Sequence, residues 1–69
     1  MKVRIVLISG NERDFSSIKS LKQYCLLRTL DTPSYILRRI SVFALDSGKR
    51  VPFRYGIKTL YDFIDYYRV

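Results

Sequence analysis

The chain has 69 residues, of which 48% are hydrophobic, so one small folded domain over residues 1–69 is expected. Thirteen Lys and Arg against six Asp and Glu give a formal net charge of +7. This excess favours an anionic partner, although it also keeps a small protein in solution. One cysteine and no histidine exclude an internal disulfide and a Cys/His zinc site, so we expect no metal and no cofactor.

The N-terminal segment KVRIVLIS, residues 2–9, predicts a strand because it is rich in β-branched residues and ends at Gly10-Asn11. Its apolar run, 5–8, is too short for a signal peptide or a membrane span. We therefore expect no membrane partner and a location in the cytoplasm of a cell or of an infected host.

A polar loop, GNERD, is predicted to follow, with Asp14 as the N-cap of a helix over about residues 15–30. The apolar stripe of that helix is predicted to contain Phe15, Ile18, Leu21, Cys25 and Leu26. Cys25 lies on this stripe, and a buried structural thiol is the favoured interpretation over a nucleophile.

Residues 33–39 are compatible with two structures. Thr32-Pro33 resembles a helix start, which would give a short second helix, but an extended segment or one irregular turn is favoured. A final helix is predicted for TLYDFIDYYRV, where Thr59 is the N-cap and Asp62 completes a capping box. Its predicted apolar stripe is Leu60, Phe63, Ile64 and Tyr67.

Residues 38–45 and 49–55 are predicted to form a hairpin at Ser47-Gly48. A two-residue loop pairs Ala44 with Val51, Val42 with Phe53 and Ile40 with Tyr55 on one apolar face. Pro52 lacks an N–H, so the last strand should be at an edge of the sheet. The predicted fold is a small α/β (α+β) domain of order β-α-β-β-α with a three-stranded mixed sheet, order 1-2-3, and two helices. The first two strands are expected to be parallel because a helix joins them.

The second face of this sheet can be open or covered by a helix. Four apolar residues on it favour the covered arrangement: Val6, Ile8, Phe43 and Leu45. An open face would present cations around an aromatic ring, which suits single-stranded RNA or DNA because phosphates contact cations and bases stack on rings. The predicted nucleic-acid-binding residues are Lys2, Arg4, Arg39, Phe43, Lys49, Arg50 and Arg54.

The first functional hypothesis is therefore a basic, non-enzymatic nucleic-acid-binding domain. The alternative is a protein-interaction module, such as a small phage-type inhibitor or regulator, that docks on an acidic protein through Tyr61, Tyr66 and Tyr67. A homodimer remains open. No activated nucleophile or tuned acid–base pair is recognisable, since Asp62 and Asp65 are best explained as solvated surface.

Overall fold

The computed structural model describes residues 2–69, which contain four strands, three α-helices and a 3₁₀ turn. The strands are β1 (Lys2–Val6), β2 (Glu12–Phe15), β3 (Ser41–Asp46) and β4 (Lys49–Val51). The helices are α1 (Ile18–Arg28), α2 (Ser34–Leu37) and α3 (Leu60–Tyr67), and the 3₁₀ turn is Arg54–Gly56. The predicted α+β class is confirmed, but the strand count is not.

The sheet has the order β2-β1-β3-β4, and all neighbouring strands are antiparallel. The three predicted strands lie side by side in the predicted order, with β4 at one edge and the unpredicted β2 at the other. The predicted parallel pairing of the first two is wrong, because the chain reverses through β2 before it enters α1. The helical crossover therefore joins β2 to β3, which are parallel to each other with β1 between them.

Strand β2 replaces the predicted polar loop. The turn before it is closed by hydrogen bonds from Leu7 N–H to the Asn11 carbonyl, 2.8 Å, and from Gly10 N–H to the Leu7 carbonyl, 2.9 Å. Gly10 has a φ of +91°, which a residue with a side chain rarely adopts. Charged side chains are common on such short edge strands, because they oppose pairing with another chain.

The hairpin between β3 and β4 has the predicted register near its turn, where Ala44 pairs with Val51. Ser47 and Gly48 have φ values of +52° and +82°, as a type I′ turn requires. The ladder stops at Val51 because Pro52 follows it. The predicted pairings of Val42 with Phe53 and of Ile40 with Tyr55 are therefore wrong.

Beyond Pro52 the β3–β4 ladder does not continue, and the chain returns to β3 only at Lys58 and Thr59. Val42 donates its N–H to the Lys58 carbonyl at 2.9 Å, and Ser41 forms an isolated bridge with Thr59. Phe53 is buried in the core as predicted, 6.1 Å from the ring of Phe63. Tyr55 is instead exposed.

The helix ends follow their sequence signals in part. Ser17, not Asp14, caps α1, accepting the Ser20 N–H at 3.1 Å, because Asp14 belongs to β2. The predicted capping box of Thr59 and Asp62 at α3 is confirmed. Residues 34–37 form one turn of helix, so the short second helix is the correct alternative.

One hydrophobic core is shared by the sheet and all three helices. Leu21 and Cys25 of α1 are buried in it, whereas Leu26 is exposed although it was predicted on the buried stripe. From α3, Leu60 and Phe63 are fully buried in the same cluster. Because α1 and α3 pack on the same side, neither covers the second face of the sheet, and the favoured covered arrangement is wrong.

Candidate nucleic-acid interface

The face of the sheet opposite the helices is the candidate site, and we call it the open face. The strand registers place on it Lys2, Arg4 and Val6 from β1, Glu12 and Asp14 from β2, Ser41, Phe43 and Leu45 from β3, and Arg50 from β4. It therefore carries three cations and also two carboxylates, both from the strand that the sequence did not predict.

Arg4 is held by β2 through a bidentate ion pair. Its Nε donates to Asp14 Oδ1 at 2.6 Å and its Nη2 to Asp14 Oδ2 at 3.0 Å. These hydrogen bonds are the main reason why the pKa of Asp14 is lowered and that of Arg4 raised. Arg4 Nη1 also lies 3.4 Å from Glu12 Oε1. These contacts link β1 to β2, and the two carboxylates largely neutralise the positive charge of Arg4.

Arg50 lies across the open face above Phe43. Its guanidinium carbon is 4.4 Å from the centre of the Phe43 ring, and its Nη2 is 3.3 Å from Glu12 Oε2. The side chain thus extends from β4 to a carboxylate of β2, over the two strands between them. It is 63% exposed, and an exposed ion pair of this kind contributes little stability. Arg50 can therefore exchange Glu12 for another anion at small cost.

A groove of about 380 Å³ opens beside Phe43. Its apolar surface comes in part from Val6, Phe43 and Pro52, and its polar lining includes Ser41, Arg50 and Lys58. Lys58 is exposed and forms no ion pair within residues 2–69. A flat apolar ring and two cations that border the same groove can together accept a base and its phosphates.

The structure brings together four of the seven residues predicted to bind nucleic acid: Lys2, Arg4, Phe43 and Arg50. The other three lie elsewhere. Arg39 is in the turn that follows α2, because β3 begins only at Ser41. Lys49 alternates with Arg50 and points away from the open face. Arg54 is in the 3₁₀ turn, because β4 ends at Val51.

Sequence reasoning missed Glu12, Asp14 and Lys58. Within ERDF, the two acids alternate with Arg13 and Phe15, which is the period of a strand. Phe15 lies 5.2 Å from the ring of Tyr24 on the helix side, as this alternation requires. The signal was present but only four residues long.

Only one of the three tyrosines of the predicted protein-binding surface is exposed. Tyr61 is half-buried beneath Arg38, whose guanidinium carbon is 4.2 Å from the ring centre. Tyr67 is half-buried against Phe63, with 4.7 Å between ring centres. Tyr66 alone of the three is exposed, and it stacks on Tyr55.

The remaining reactive groups show no catalytic arrangement within residues 2–69. Cys25 is 2% exposed, and its burial raises the pKa of the thiol to about 11. No three of the Cys, Asp and Glu residues in this range lie close enough to hold a metal ion. No helix in the same range is long and apolar enough to cross a membrane.

No protein-family model, curated protein or solved structure matches this chain. Inferences about function therefore depend on the geometry and charge described above.

Proposed function

We propose that this chain is a non-catalytic domain that binds single-stranded nucleic acid, RNA or DNA, on the open face. The groove beside Phe43 is the observation that carries the proposal, because an apolar ring and two exposed cations, Arg50 and Lys58, border the same space. In this arrangement a base enters the groove against Phe43, and the adjacent phosphates contact the two cations.

Arg50 has two roles in this proposal. In the free protein it covers the Phe43 ring and is partly neutralised by Glu12, which also pairs with Arg4. A phosphate competes with Glu12 for the guanidinium, and movement of Arg50 toward the phosphate uncovers the ring. Base stacking on an aromatic side chain stabilises such complexes by roughly 1–3 kcal/mol per base.

The proposal favours single strands over duplexes. The bases of a duplex are stacked on each other, so they cannot stack on Phe43 unless the helix opens. A duplex can still contact Lys2, Arg50 and Lys58 through its phosphates, and this contact is sensitive to salt. We therefore expect weaker and more salt-dependent binding of duplex DNA.

The test is fluorescence anisotropy with labelled single-stranded and duplex oligonucleotides of 12 nucleotides or base pairs, at 50–200 mM salt. Phe43→Ala should weaken single-strand binding roughly 5- to 150-fold, with a smaller effect on the duplex. Arg50→Ala removes a phosphate contact and should reduce the salt slope for single strands by about 0.7.

Lys19→Ala is the matched control, because Lys19 is an exposed cation on α1, behind the sheet, with no ion pair within residues 2–69. It should change binding much less than Arg50→Ala. The proposal fails if the wild-type chain binds no single strand more tightly than about 10⁻⁴ M at physiological salt. It also fails if Arg50→Ala and Lys19→Ala weaken binding equally.

A second candidate function is protein binding, and it is favoured by exposed leucines at the end of α1. Leu26, Leu27 and Leu30 are 59%, 80% and 83% exposed. Leu26 and Leu30 border a groove that includes Ile64 and Val69. Contiguous exposed apolar residues are typical of interaction surfaces. Sedimentation equilibrium of the wild type and of Leu27→Ser tests whether a second copy is the partner. A monomer at all concentrations excludes that partner.

A further inference from the structure

Tyr55 and Tyr66 form an exposed tyrosine pair near the open face. The ring centres are 4.5 Å apart and the ring planes are inclined by 12°, which is a stacked arrangement. Tyr55 is 62% exposed and Tyr66 is 50% exposed. Tyr67 packs edge-on against Tyr66, with 4.9 Å between their ring centres, and it also contacts the buried Phe63. The pair is therefore supported from the core and open toward solvent.

The backbone presents Tyr55 in an unusual conformation. Its φ and ψ are 61° and 24°, in the left-handed region that residues with a side chain rarely adopt. Gly56 follows in the same region, with φ of +70°. Strained backbone of this kind is often found at ligand-binding sites, where surrounding structure maintains it. In this conformation the Tyr55 ring stacks on Tyr66.

The pair lies next to the groove of the open face. Phe53 and Gly56, on either side of the Arg54-Tyr55 segment, both line that groove. The guanidinium carbon of Arg54 is 5.8 Å from the Tyr55 ring centre, and Arg54 forms no ion pair within residues 2–69. A strand that leaves the groove at this end therefore reaches an exposed ring and an unneutralised cation together.

We propose that Tyr55 is a second stacking site for a base of the same single strand that occupies the groove, with Arg54 contacting the adjacent phosphate. This inference rests on the function proposed above and extends it. The base adds a third ring to the existing stack of Tyr55 and Tyr66. The domain then holds a strand at two aromatic positions, Phe43 on the sheet and Tyr55 at its edge, with cations beside each.

The experiment measures the affinity of each variant for a fluorescein-labelled oligo(dT) of 12 nucleotides by anisotropy at 150 mM salt. Tyr55→Gly removes the ring and suits the positive φ, so the fold should be retained, as circular dichroism can verify. We expect it to weaken binding at least about fivefold, the low end of base–aromatic stacking. Tyr55→Phe keeps the ring and should bind like the wild type.

Tyr35→Ala is the matched control, because Tyr35 is 67% exposed on α2 and belongs to neither site. It should leave the affinity unchanged. If the wild type binds and Tyr55→Gly binds equally well, the second stacking site is wrong and the function of the open face stands. If the wild type does not bind the oligonucleotide more tightly than about 10⁻⁴ M, both proposals are wrong.

Discussion

Replacing Glu12 with Gln should increase the affinity for single-stranded nucleic acid. In the free protein Glu12 neutralises Arg50 at 3.3 Å and also lies 3.4 Å from Arg4. The substitution keeps the side-chain size but removes the negative charge. Arg50 is then free to contact phosphate, and the ring of Phe43 beneath it is more easily uncovered.

The magnitude follows from the ion pair that a phosphate must displace from Arg50. An exposed ion pair of this kind contributes about 0.2–1 kcal/mol, so its removal should tighten binding by up to about fivefold. The slope of log K against log salt should stay close to that of the wild type, because Arg50 contacts a phosphate in both complexes. The cost to the free energy of unfolding should be about 1 kcal/mol or less, because both partners of the ion pair are exposed.

The assay is fluorescence anisotropy with a 12-nucleotide single strand at several salt concentrations. Asp31→Asn provides the matched control, because it makes the same change in net charge in the exposed loop between α1 and α2. Its effect should be clearly smaller. Equal gains for the two variants would mean that only net charge matters, and a loss of affinity in a folded Glu12→Gln would refute the competition between Glu12 and phosphate.

Three further predictions concern stability and reactivity. Tyr67→Phe removes a buried hydroxyl that has no hydrogen-bond partner within residues 2–69. The free energy of unfolding in urea should therefore be unchanged or higher by up to about 1 kcal/mol, and a clear decrease would contradict this. Cys25 should resist a thiol reagent in the native protein and react in denaturant, because burial raises its pKa to about 11; fast native labelling would contradict that.

Burial tends to raise the pKa of Asp62, but hydrogen bonds from the Lys58 and Thr59 N–H groups lower it overall. The capping box therefore stabilises the fold above the unfolded-state pKa of about 4, and this contribution is lost as pH falls through the lower folded-state pKa. Between pH 7 and pH 2, urea unfolding should show a larger loss of stability for the wild type than for Asp62→Asn.

The parts of the fold that short-range chemistry determines could be predicted from the sequence. Ser47-Gly48 supplies the positive φ values of a type I′ turn, and this fixed the register of the hairpin next to it. Thr59 and Asp62 likewise specify the start of α3. Pro52 predicts an edge strand, but it also ends β4, so the register extended past it is wrong for Arg54 and Tyr55.

The parts that depend on distant packing could not be predicted. Strand β2 has three charged residues in four and forms because β1 offers it a free edge. The second face of the sheet is open because α3 packs on the same side as α1. The amphipathic pattern of α3 does not specify on which side of the sheet it packs. Because β2 was missed, the carboxylates that neutralise Arg4 and partly neutralise Arg50 were missed with it.

The central claim, that the open face binds single-stranded nucleic acid, is tested most directly by mapping amide chemical shifts during a titration of the ¹⁵N-labelled chain with an oligo(dT) of 12 nucleotides. The account predicts that the largest shifts fall on β1, β3, β4 and the segment 52–58, with little change in α1. Shifts concentrated at the leucine end of α1, or none at millimolar oligonucleotide, would contradict it.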